Sequence, residues 1–348
     1  MGFAPQFAGP HDPVPSTPPR TPGSIRRTSS IDTTRPGGLD APLALVDARG
    51  RDLLTGDDGG PIELEAIEIR IEVEQPAAVI ARIECRPTGD QGVAALVGRR
   101  IGGGFRDAAV AATPDHSGAA SLRYLLLDDL PGANLVSGFA LQHADTVAGT
   151  ERMSEGARAY PDRILAQADI CAGWGDDAVM LTTFRETGVL MTPLGPAAPA
   201  LDDPDDRSAW HDMAVLPPHG MRRRRRIDVG PTAADGTSAF ETHFRDSHVD
   251  ADGVETVVHE YVVRGRVEDA RGSVVEVESE ARVLPWFECP GALASAHRIV
   301  GVPLAELRRT IRTEFTGLST CTHLNDTLRS LADLAPLVSR RDRVRAGG

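Results

Sequence analysis

Between Thr256 and Val283 the side chains that favour burial recur at every second position. Val257, His259, Tyr261 and Val263 alternate, Val274, Val275 and Val277 follow, and the turn-type run Asp269-Ala270-Arg271-Gly272 lies between, which predicts an antiparallel hairpin ended by Pro285. Beyond it the period changes. Cys289-Pro290-Gly291 opens a helix with proline at its first position, and Leu293, Ala296 and Val300 recur at helical spacing until Gly301. Pro303-Leu304-Ala305-Glu306 starts a second helix carrying Leu307, Ile311 and Phe315 and closed by Gly317. A third begins near Cys321 and shows Leu324, Leu328 and Leu331 on one face. Strands followed by helices predict an α+β fold, with helices packed on one side of an antiparallel sheet.

The same series of marks occurs earlier in the chain. GSIRRTSSID from Gly23 parallels HGMRRRRRID, so that Ile31-Asp32 aligns with Ile227-Asp228; Cys85 aligns with Cys289, Leu96-Val97-Gly98 with Ile299-Val300-Gly301, and Leu122 with Leu324. Anchors at a nearly constant offset read as a tandem duplication. The copies differ where Cys321-Thr322-His323 faces Ala119-Ala120-Ser121, so the first unit is expected to be degenerate and any site to lie in the second. The expected division is a proline-rich disordered arm at 1–22, a first repeat at 23–138, a linking segment at 139–219, a second repeat at 220–338 and a flexible tail at 339–348. The linking segment has an apolar first part and a proline- and acid-rich loop after it, and is expected to cap a site or the interface between repeats.

Composition narrows the classes. A chain of 348 residues has room for two units, and a net charge of −13 with a pI near 5.2 argues against nucleic acid or an anionic membrane as partner. One stretch runs against the balance: Arg222 to Arg226, expected to be a solvated strand edge or an acid-pairing stretch rather than an anion site. No lysine occurs, which excludes Schiff-base chemistry and a phosphate-loop lysine. Four cysteines, no signal peptide and no apolar stretch of membrane-spanning length lead to the expectation of a cytoplasmic protein whose cysteines are ligands, catalytic groups or buried thiols.

Candidate chemistry gathers at the helix starts of the second half. Backbone N–H groups there favour thiolate, so Cys289 and Cys321 are expected to have lowered pKa values. His323 follows Cys321 by two residues, and His259 lies on the strand expected to face these helices. His259, Cys289, Cys321 and His323 would form a Cys₂His₂ set suited to zinc or iron. A metal-free Cys/His pair and plain core packing are the other readings of these residues. Asp246-Ser247-His248 reads either as a capped turn with a solvated histidine or as a general acid/base pair, Asp246 and His248, beside the site.

The stretches DSHVDADGVETVVHEY, LPWFECP and GLSTCTHLNDTLRSLADL resemble a bacterial family of unknown function, domain-of-unknown-function family 2889, whose most recognisable mark is the tetrapeptide found at Cys321 to Leu324. The resemblance covers the second copy and names no substrate. The order of hairpin, Cys-led helix, helix and Cys/His-led helix is also similar, more distantly, to NifU-type iron–sulfur scaffold proteins. That likeness implies ligand roles for Cys289, Cys321 and His323, with His259 where the scaffold has an acidic ligand. The scaffold's first cysteine is absent, Val257 and Val258 standing in its place, which favours a mononuclear metal over a cluster. The expectation is therefore two fused NifU-like units packed as a pseudo-dimer, as a monomer or homodimer. Three functions remain open: a lyase or hydrolase acting on a small molecule, a structural or carrier metal protein, and metal-free Cys/His catalysis.

Overall fold

A computed structural model describes residues 3–87, 92–113 and 121–347. Its frame is one eight-stranded antiparallel sheet in the order β4-β3-β2-β1-β5-β6-β7-β8. The strands are β1 (Ile25–Thr34), β2 (Leu43–Thr55), β3 (Pro61–Glu74), β4 (Val79–Arg86), β5 (Met221–Thr232), β6 (Thr237–Val249), β7 (Glu255–Glu268) and β8 (Ser273–Val283). Each half of the chain lays down a four-strand meander outward from the centre, and the halves join where β1 runs antiparallel to β5. The helices are α1 (Phe105–Ala112), α2 (Leu122–Val136), α3 (Gly138–Ala148), α4 (Arg152–Ala159), α5 (Pro161–Leu165), α6 (Val179–Thr187), α7 (Leu304–Glu314), α8 (Thr322–Ser330) and α9 (Leu334–Gly347). In both halves the fourth strand is followed by a 3₁₀ segment and two helices. The α+β expectation therefore holds, with a sheet larger than a hairpin.

The predicted helix after Cys289 is a 3₁₀ segment, Cys289–Ile299, in place of an α-helix. Its buried Cys289, Ala292 and Ser295 stand three apart, the repeat of a three-residue turn. One apolar core lies under the second half around Phe244, Tyr261, Val263, Leu307, Leu324 and Leu328. A second lies under the first half around Ile69, Ile71, Ile80, Phe105 and Leu125.

Between the two cores the sheet is charged. The five-arginine run is no edge, because β1 pairs with its whole length, and all five side chains are buried. Alternate residues point to opposite faces. Arg223 and Arg225 reach the helical side and bind Asp246, Asp326 and Asp129. Arg222 and Arg226 reach the other side and bind Asp32, Asp228 and Glu241. Acid pairing, half of the expectation, is what makes burial of these guanidinium groups tolerable.

The ends of the chain are tied down, contrary to the expectation from composition. Residues 9–12 follow the outer edge of the sheet: Gly9 N donates to Leu284 O (3.2 Å), Leu284 N to Pro10 O (3.0 Å) and Asp12 N to Arg282 O (2.9 Å). A proline-rich strand lacks donors and suits an edge position, where it also shields β8 from further pairing. The tail from Ser339 belongs to α9, where Arg340 binds Asp52 and Glu65. No helix among the described residues is long and apolar enough to cross a membrane.

Candidate functional site

Strand register brings the polar groups of the second half together. Asp246 on β6 lies opposite Arg223 on β5 and opposite His259 on β7. Helix α8 enters the same region, held by Leu324 and Leu328, which are fully buried, and its first turn carries His323. One potential ligand atom from each of Asp246, His259 and His323 lies within 4.8 Å of the others. The two imidazoles stack, with ring centroids 3.6 Å apart and planes 18° apart. His259 Nδ1 is 3.6 Å and His323 Nε2 is 3.8 Å from the same carboxylate oxygen, Asp246 Oδ2.

The carboxylate is fixed from behind. Arg223 binds it through Nε (2.8 Å) and Nη2 (3.0 Å), and its third nitrogen binds Asp326 of α8 (2.8 Å). The guanidinium sits over the Phe244 ring at 4.8 Å. Burial works to raise the Asp246 carboxyl, but Arg223, assisted by His259 and His323, overrides it and holds the group below the usual carboxylate range. Burial, together with His259, pushes His323 down to about 3, so it is a neutral imidazole at pH 7. Buried His259 Nδ1 has no hydrogen bond of acceptable geometry among the described residues. Two imidazoles and one carboxylate whose ligand atoms converge are a donor set for zinc or iron.

A cavity of about 300 Å³ opens beside these groups, lined by His259 and His323 and by Cys171, Cys289 and Cys321. Its walls are mostly apolar. The linking segment contributes Phe139, Met153, Ile170, Trp174, Met180 and Met191, so part of that segment does lie over the candidate site, and Trp286 closes the side from the strand-to-helix corner.

All four expected ligands thus reach one cavity, but the close group is His259, His323 and Asp246; Cys289 and Cys321 stand outside it. The expected lowering of the two thiols is reversed. Burial raises both Cys289 and Cys321, and in Cys321 it outweighs the N–H groups of His323 and Leu324 at the start of α8. Cys171, which the sequence reading did not single out, joins them, raised to about 12 by burial and by its neighbour Cys321. Gly173 passes so close to Cys289 that a side chain there would meet its sulfur at 2.6 Å.

The Asp246-Ser247-His248 stretch is neither a turn nor solvated; it lies within β6 and is fully buried. His248 does not join Asp246. Its ring packs against His143 (4.6 Å) and Phe139 (5.3 Å), neither nitrogen has a hydrogen bond, and burial pushes it down to about 3. An acid/base role for His248 at this site is therefore not supported by its position. Nothing in the local sequence marked Asp246 as a partner of Arg223, since the pairing appears only when β5 and β6 are in register.

The first half repeats the clamp without the imidazoles. Arg27 lies opposite Asp52 as Arg223 lies opposite Asp246, and binds it at 2.6 Å through both Nε and Nη2. The residue opposite Asp52 on β3 is Glu65, where β7 offers His259. Arg340 of α9 bridges Asp52 and Glu65, each at 2.6 Å. The register makes Asp52 the counterpart of Asp246. Of the residues aligned with Cys321 to His323, Ala119 and Ala120 lie outside the described residues.

Fold and site together define an α+β protein in which two histidines at the wall of a cavity converge with an arginine-clamped aspartate buried beside them. Residues 221–336, from the first residue of β5 into α9, match the model of the family described as protein of unknown function (DUF2889). The match covers the second half and includes the Cys321 to Leu324 tetrapeptide that carries the resemblance. No curated protein and no solved structure matches the chain.

Proposed function

We propose that the second half holds one zinc or iron ion between Asp246, His259 and His323, and that the protein is an enzyme, a hydrolase or lyase, acting on a small molecule in the adjoining cavity. The observation that carries this reading is the convergence of three ligand atoms within 4.8 Å beside a cavity of about 300 Å³. A structural site closes its coordination sphere with protein ligands, whereas three ligands of which His259 and His323 line a cavity would leave a position for substrate or water. Such an ion polarises a carbonyl or phosphoryl oxygen, or lowers the pKa of bound water.

The residues of this chain have separable tasks in that reading. Arg223 keeps Asp246 ionised and oriented, and Asp326 keeps Arg223 in place. Burial keeps His323 neutral and so available as a donor. The apolar walls exclude bulk water, and the three thiols line the cavity as soft, uncharged groups. The raised thiols count against metal-free thiolate catalysis by Cys321 with His323 as base. A cluster carrier has cysteine-rich ligation, whereas the close group here is two histidines and an aspartate.

The recurring element order and the matched Arg27–Asp52 and Arg223–Asp246 pairs support descent of both halves from one unit, joined as a pseudo-dimer, with the first half inactive. The NifU likeness rests on the order of hairpin, Cys-led segment, helix and Cys/His-led helix and on the places of His259, Cys289, Cys321 and His323 in it. Titration of chelator-treated protein with cobalt(II) tests the site. The reading expects visible d–d bands that saturate and that vanish in His259→Ala and in His323→Ala; no bands in the unaltered protein would end it.

A further inference from the structure

The opposite face of the sheet carries a second cavity, of about 500 Å³, between β5 and the acid-rich part of the linking segment. Arg224 lines it. Every other arginine of the run has a carboxylate: Arg222 has Asp32, Arg223 has Asp246, Arg225 has Asp129, and Arg226 has Asp228. Arg224 is only 7% exposed, yet it makes no hydrogen bond or ion pair among the described residues, and its Nε is buried without a partner. A buried guanidinium left alone is costly, by several kcal/mol in general, so its persistence calls for a partner that enters from outside.

The surroundings say what that partner carries. Glu255, Asp202 and Asp212 line the same cavity; Asp202 and Asp212 are exposed and make no ion pair among the described residues. Asp206, also there, is engaged by Arg20. His211 is held between the hydroxyls of Thr28 (2.9 Å) and Ser30 (2.8 Å), so it adds no charge to attract a second anion. Arg207 and the Asp32-bound Arg222 also line the cavity, but carboxylates outnumber the arginines, so a polyanion would meet net negative charge on the way to Arg224. A molecule with a carboxylate at one end and a cation at the other satisfies both.

We propose that this cavity binds a small zwitterion of the amino-acid type, its carboxylate on Arg224 in the bidentate manner that guanidinium favours and its cationic group toward Glu255, Asp202 and Asp212. The site is independent of the metal reading, lying across the sheet from Asp246. Because Arg223 and Arg224 are neighbours on β5, occupancy on one side bears on the strand that clamps Asp246 on the other.

Thermal unfolding and calorimetric titration of the full-length protein with L-arginine, L-lysine, glycine, acetate and inorganic phosphate test the proposal. At least one of the three amino acids is expected to raise Tm saturably and to bind with measurable heat, while acetate and phosphate do neither at equal concentration and ionic strength. Arg224→Met is expected to fold with an unchanged or higher Tm, having lost an unpaired charge, and to bind the amino acid at least tenfold more weakly. The double change Asp202→Asn with Asp212→Asn is expected to weaken binding of the amino acid as well. The proposal is overturned if none of the amino acids binds, if phosphate or acetate protects as well as they do, or if Arg224→Met keeps full affinity. It is equally overturned if both Arg224→Met and Arg224→Gln fail to fold, since the guanidinium would then be a structural partner.

Discussion

Asp246 shows how a single residue changes meaning with its neighbours. In sequence it is an acid before a serine and a histidine; on the ladder it faces Arg223 on one side and His259 on the other. Replacing Asp246 by Asn keeps its shape but removes the bidentate ionic partner of the buried Arg223 guanidinium and leaves it Asp326 alone, for which a loss of about 3–5 kcal/mol is expected by chemical denaturation. His259 and His323 could be picked out because alternation and helix starts depend on local order; Asp246 could be named as an acid beside the site, but its pairing with Arg223 and the place of Cys171 could not be read, because they arise from chain segments far apart. A second residue-scale prediction concerns pH. Burial pushes His211 down to about 3 and His243 down to about 4 from an ordinary value of 6.5, so both fold as neutral rings. Below 6.5 the unfolded chain takes up protons that the folded one refuses. Their contribution is therefore full above pH 6.5 and is lost as pH falls from there toward about 4 and 3. Urea midpoints measured between pH 8 and pH 4 should fall below pH 6.5, and His211→Gln should make that fall shallower; identical slopes would contradict the assignment.

At the scale of elements, β1, β2, β5 and β6 escaped the pattern that revealed β7 and β8. Their alternation is of charge and hydroxyl against partner, as in Arg26, Arg27, Thr28, Ser29 and Ser30, so the apolar period is absent although the strands are buried. Helix α2 is joined to α7 and α8 by the same means, with Asp128 accepting from Arg308 (2.7 Å) and Arg329 (3.1 Å). Both arginines are raised, and burial, which would lower them, is outweighed by the acids around them. Removing one member strands the others, so Asp128→Ala should cost about 3–5 kcal/mol, whereas Asp107→Ala on the exposed side of α1 should stay within about 0.5 kcal/mol. Equal effects would show that the network contributes no more than a surface pair.

For the whole molecule, the tandem reading expects chemistry in one half, and the register shows a difference between the halves at the matching position. Where β7 presents His259, β3 presents Glu65, and Arg340 from α9 fills the gap. The halves depend on each other through β1 and β5, for Arg222 and Arg225 find Asp32 and Asp129 across that boundary. Residues 220–338 expressed alone should therefore aggregate or associate through β5, and a monodisperse, folded monomer in scattering measurements would contradict that dependence. The central claim is a single metal site per chain, made by Asp246, His259 and His323. Elemental analysis of untagged full-length protein, purified without added metal, tests it most directly. The account predicts about one zinc or iron per chain, as a mononuclear site requires, lost in His259→Ala, His323→Ala and Asp246→Asn and retained in Cys289→Ala. Metal-free wild-type protein, or metal retained in all three of those variants, would contradict it.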